Sequence, residues 1–138
     1  MTPKLFTVDE ANRLLPALEP LARRLQGTHR RLRERQQALE EFRARASRNG
    51  GVAPGSDVSN AMAESARLLA EIHDGVQEIE AWGCVVKDLE QGLVDFLARR
   101  GREQVYLCWH LGETEIRYWH GLQEGFAGRK PLQGDPLD

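Results

Sequence analysis

The chain has 138 residues, 41% of them apolar and 29% charged, the balance of a soluble protein with a core rather than of a disordered or membrane-embedded one. A formal net charge of −2 supplies no overall attraction to nucleic acid or anionic lipid, so an electrostatic partner would have to be met by a local patch. Cys84 and Cys108 lie in apolar segments, and the chain shows neither a secretory segment at its start nor a run of about eighteen apolar residues. Buried thiols in a cytoplasmic protein are therefore expected, not a disulfide.

In chain order, Phe6-Thr7-Val8-Asp9-Glu10-Ala11 opens a helix, with Thr7 and Glu10 spaced as a capping box and Phe6 placed to staple onto Ala11. Leu14, Leu18, Leu21, Leu25, Leu32, Leu39, Phe42 and Ala46 then recur at spacings of three, four or seven, the seam of a helix that packs lengthwise on another. Only Thr28 and Arg35 interrupt it. Pro16 and Pro20 lie too far in to be first-turn prolines, so a kink or short break is expected near Ala17 to Leu21.

The stretch from Arg48 to Ser56 has the composition of a hairpin tip. Ser56 or Asp57 can cap a second helix with the seam Val58, Met62, Ser65, Leu69, Ile72, Val76 and Ile79, ended by Gly83. The arms differ in charge: nine arginines against three glutamates from Leu21 to Arg48, and nine acids against Arg67 and Lys87 from Asp57 to Phe96. Opposite signs favour pairing of the arms and turn the arginines away from a nucleic-acid reading, which would need one basic face.

After Gly83 the period changes to two. The runs Cys84–Lys87, Leu93–Leu97, Val105–Leu111 and Thr114–His120 predict three or four antiparallel strands, although Leu93–Arg100 also fits a short helix. The fold class is thus α+β, a long antiparallel two-helix hairpin followed by a small β unit. A single domain is expected over residues 1–132, with the hairpin at 7–82, the β unit at 83–120, an irregular segment at 121–132 and a loose tail at 133–138.

The densest chemistry lies between Tyr106 and His120. Cys108, His110, Glu115 and His120 are competent ligands for zinc or a similar transition metal, although none falls in an established ligand spacing. Strand register weighs on the question. A two-residue turn at Gly112-Glu113 places Trp109 opposite Ile116 and His110 opposite Glu115, and sends Cys108 and His120 to opposite faces. A three-residue loop would put those two on one face but would mix Glu115 and Arg117 with Leu107 and Trp109. The two-residue register is the expectation, with His110 and Glu115 as an ion pair and His120 at the core edge. Among the acids Asp88, Glu90 and Asp95, Asp95 is the informative one: it lies either on the wet face of a half-buried strand or buried with a partner such as Arg129, Lys87 or Arg117.

The segments Lys87–Phe96, Val105–Trp109, Leu111-Gly112-Glu113, Trp119-His120 and Gly125–Leu132, with the opening Phe6–Asn12, resemble the prokaryotic family known as domain of unknown function 2203. The resemblance implies a protein of bacteria or archaea and carries over no activity, substrate or cofactor. It does single out Asp88, Asp95, Cys108, Glu113 and His120, which match the family pattern; where that pattern often has proline this chain has Leu97.

Two functions are expected from these readings. The favoured one is a non-enzymatic assembly or adaptor protein, a homodimer associating through the hairpin where apolar residues such as Leu15, Leu68 and Ala70 lie beside the seams. The alternative is a metal- or small-ligand-binding protein, with room for enzymatic activity, whose site lies where the β unit meets the hairpin. Asp88, Asp95, Glu113 and Arg129 are its candidate ligand-binding residues. It requires Asp95, Cys108, Glu113 and His120 to converge.

Overall fold

A computed structural model describes residues 4–48 and 55–132 of the chain. Of the hairpin tip expected from Arg48 to Ser56, residues 49–54 lie outside the described residues, as does the tail at 133–138, whereas Arg48 ends the first helix and Gly55 and Ser56 begin the second.

Helix α1 spans Val8–Arg48 and helix α2 spans Gly55–Ala81, starting ahead of the cap expected at Ser56 or Asp57. The start of α1 is the capping box read from the sequence: Thr7 N donates to Glu10 Oε1 at 2.9 Å and Glu10 N to Thr7 Oγ1 at 3.1 Å. The helix runs through Pro16 and Pro20 without a break. Both prolines are exposed, on the side of the helix away from the core.

The two helices pack antiparallel. Leu25 lies on Gly75, where an added Cβ would stand 2.4 Å from Leu25 Cδ2, so glycine is what lets the helices approach there. Farther out, Leu32 clusters with Leu68 and Ile72, Arg35 meets Glu64 at 3.3 Å, and Arg43 reaches the sulfur of Met62. Two expectations change. Leu15 and Leu68, placed beside the seams, are buried within the chain, whereas the seam residues Met62 and Leu69 are 50% and 56% exposed. Thr28 does not interrupt the seam: it is buried, its hydroxyl donating to Arg24 O at 3.0 Å.

Past Gly83, whose φ of 103° suits a residue without Cβ, the chain forms a five-stranded antiparallel meander. The strands are β1 (Val85–Asp88), β2 (Leu93–Arg100), β3 (Glu103–His110), β4 (Tyr118–Gly121) and β5 (Lys130–Pro131), hydrogen-bonded in sequence order. Leu93–Arg100 is thus a strand, and the segment expected to be irregular supplies a fifth one, closed by Leu132 N donating to Arg117 O at 2.9 Å.

One sheet face carries Val94, Phe96, Ala98, Val105, Leu107, Trp109 and Trp119, and these share a core with Phe6, Leu15, Leu18, Leu21 and Ile79. Phe6 meets Phe96 edge-on at 5.1 Å between ring centroids, and its N–H donates to Leu97 O, tying the chain's start to β2.

The expected two-residue turn between β3 and β4 does not form. The pairing is Val105 with Gly121, Tyr106 with His120, Leu107 with Trp119 and Cys108 with Tyr118, one residue out of the expected register. Pairing stops there, and residues 111–117 leave the sheet. Trp109 Nε1 donates to Glu113 O at 2.9 Å, and Ile116 N to Asn12 Oδ1 of α1 at 2.7 Å. These bonds hold Glu115 and Arg117 out in solvent, paired with each other at 3.1 Å. The mixing of charge with core that argued against this register is thereby avoided.

Candidate metal centre

Because side chains alternate across a strand, the corrected register assigns Asp95, Cys108 and His120 to one face, the one turned away from the helices. Asp95 of β2 sits directly opposite Cys108 of β3, and His120 of β4 lies one diagonal step from Cys108. Asp95 and His120 are separated by the width of β3, so both lean inward over the cysteine. His120 Nε2 reaches Asp95 Oδ2 at 3.0 Å, and one ligand atom from each of the three residues lies within 4.8 Å of the others. All three residues are 1–2% exposed.

The orientation of the imidazole is fixed. His120 Nδ1 lies 2.8 Å from the Gly121 carbonyl, which can only accept, so Nδ1 carries a proton and donates it. Nε2 is left as the atom aimed into the cluster, which is how metal-bound histidines are held.

Burial raises the Asp95 pKa, opposed in part by His120 and Lys87. Burial, with the charge of Asp95, pushes the Cys108 thiol up to about 12, while Arg129 draws it the other way. A thiol so protonated is a poor nucleophile. Cys84, buried in the core on the other face, is likewise held up at about 12 by its burial, and both cysteines are free.

Two tyrosines flank the cluster, each with a cation on its ring: Lys87 Nζ stands 4.4 Å from the Tyr106 centroid and the Arg129 guanidinium 4.0 Å from that of Tyr118. Lys87 is the extra residue of a bulge, since Val86 pairs with Val94 and Asp88 with Leu93. Arg129 donates to both oxygens of Glu113 at 2.7 and 2.9 Å and to Cys108 O at 3.1 Å, and Phe126 covers its other side at 4.7 Å. Alternation along β3 places Tyr106 on the face of Cys108, as the sequence indicates, whereas the expected two-residue turn assigns Tyr118 to the core face and the observed register returns it to the outer one.

The predicted residues therefore divide. Asp95, Cys108 and His120 converge, and Glu113 and Arg129 form a half-buried ion pair at their rim. Asp95 is buried against His120, a partner not foreseen, rather than lying on a wet face. Three others stand apart. His110 packs on Phe126 at 5.8 Å and is not paired with Glu115, Glu115 is exposed with Arg117, and Asp88 accepts from Gln91 N at 3.1 Å in a local turn. The convergence lies on the outer sheet face, not at the junction with the hairpin.

Residues 4–132 match the family described as Uncharacterized conserved protein (DUF2203). The chain belongs to that family. No curated protein and no solved structure matches it.

Proposed function

We propose that this protein binds a transition-metal ion, zinc being the best suited, through Asp95, Cys108 Sγ and His120 Nε2. The observation that supports this reading is the convergence of the three ligand atoms within 4.8 Å, on a histidine already held by its other nitrogen. Tetrahedral zinc with bonds of about 2.0–2.3 Å needs ligand atoms about 3.3–3.7 Å apart, so side-chain adjustments of about 1 Å close the set. Carboxylate, thiolate and neutral imidazole together carry the charge that cancels a divalent cation, and a neutral assembly is what a buried site requires. Thiolate with imidazole favours zinc or a neighbouring transition metal over calcium or magnesium.

Three protein ligands leave a fourth position open, the pattern of a centre with an exchangeable ligand rather than of a closed structural site. No helix of the described residues is long and apolar enough to cross a membrane, and the reading needs no membrane. Elemental analysis of protein purified without chelator should find close to one equivalent of metal per chain. Added cobalt should give tetrahedral visible bands and a thiolate charge-transfer band that Cys108→Ser removes. Metal-free protein that also fails to take up stoichiometric cobalt would rule the reading out.

A further inference from the structure

We infer that the outer half of the helical pair is a self-association surface that takes a second copy of this chain, forming a four-helix bundle. The argument starts from the two apolar rows of α2. Leu68, Ile72, Gly75 and Ile79 are buried, the first two packing with Leu32 of α1 and Gly75 receiving Leu25. A helix with one neighbour needs no more than that row. Val58, Met62 and Leu69 form a second row at helical spacing, rotated roughly a quarter turn from the first at about 100° per residue. Its members Met62 and Leu69 are the most exposed large apolar side chains of the described residues.

The second row opens onto a groove shared with α1, lined by Gln36, Leu39, Glu40, Arg43, Met62 and Ser65. Outward of Leu32 and Leu68, none of the described apolar residues of either helix is buried, although the heptad spacing continues through Leu39, Phe42 and Ala46. Heptads that continue while their residues are only half-buried mark a seam whose second side is missing.

Charge selects the occupant. On this outer half the two signs are interleaved, five arginines with three glutamates on α1 from Arg33 to Arg48 and Glu64 with Arg67 on α2, so a partner of uniform charge, such as nucleic acid, would meet repulsion as well as attraction. A second copy related by a two-fold axis presents both signs in the reverse order. The groove itself holds Glu40 and Arg43 on one rim, so each Arg43 can face Glu40 of the other copy. This is a different surface from the one expected at Leu15 and Leu68, which the fold buries.

The test is solution mass of the full chain by analytical ultracentrifugation at about 50 µM, where a dimer with a Kd of about 5 µM or tighter is mostly assembled. The expected result is twice the 15.6 kDa of the chain. Met62→Glu with Leu69→Glu, both at exposed positions, should give the monomer with unchanged helical circular dichroism. Arg43→Glu should weaken the dimer at least tenfold, and Glu40→Arg in the same chain should restore it. A monomeric wild type, whether or not heparin or another protein retains it, overturns the proposal. So does a doubly substituted chain that keeps the dimer mass, or an Arg43→Glu loss that Glu40→Arg does not repair.

Discussion

The two faces of the sheet are built from the same strands and bury their residues equally well, yet for different reasons. On the inner face Phe96, Leu107, Trp109 and Trp119 lie against α1 and Phe6, and hydrophobic transfer accounts for them without further explanation. On the outer face Asp95, Cys108 and His120 are as deeply buried, but beneath a cover of tyrosines, cations and a short loop rather than a helix. Burying a carboxylate and an imidazole costs free energy that apolar residues of the same shape would not. The comparison teaches that the inner face is explained by stability alone, whereas the outer face needs a reason of another kind, which the proposed metal ion would supply.

The largest effect should come from the inner face. Trp109→Ala removes a side chain with no exposed surface and should lower unfolding stability by about 3–5 kcal/mol, read from urea denaturation. A loss below about 1 kcal/mol would mean that the core does not rest on this residue. For the outer face, Asp95→Ala leaves His120 without its partner and should cost about 3 kcal/mol in metal-free protein. Replacing both, Asp95→Leu with His120→Phe, should regain much of that loss, since no polar group is left stranded, while metal uptake vanishes. If the double replacement is no more stable than the single one, the polar pair is structural and the contrast between the faces fails.

How much of this was legible in the sequence follows the physics of each element. The capping box at Thr7 and Glu10, the leucine spacing of α1 and the change of period after Gly83 are local signals, and each has its counterpart in the fold. The outward turn of Leu69 and inward turn of Leu68 were not legible, because both fit a helical stripe and Gly75 decides which one meets α1. The register between β3 and β4 was missed because the turn chemistry of Gly112 was given more weight than bonds from elsewhere. Asn12 of α1, 104 residues away, holds Ile116 N and takes the loop out of the sheet. A one-residue error in register moves every side chain to the other face, so a single distant asparagine separated Cys108 from His120 on paper. The composition of the site was readable, as the residues Asp95, Cys108 and His120 show; its assembly was not.

The pH dependence of the outer face sharpens the comparison further, because its sign reverses with the ion. In metal-free protein Asp95 and Cys108 both have raised pKa values in the folded state. Their contribution to stability is therefore complete below the unfolded values, about 3.9 for the acid and 8.5 for the thiol, and is lost as pH rises through the folded ones. A bound ion requires the opposite forms, thiolate and carboxylate, so binding expels protons and strengthens as pH rises. With the thiol held up at about 12, its proton is in place throughout the neutral range and must leave on every binding event. Affinity should then rise about tenfold per pH unit, or about 100-fold between about pH 6 and pH 8. Competition with a chelator of known affinity measures this, and Asp95→Asn should retain the thiol's share of the slope while binding more weakly. Among the described residues of the inner-face core, Cys84 is the one titratable group, and burial holds its thiol up at about 12, so the inner face adds nothing to this slope. A flat profile would mean that Cys108 is not a ligand.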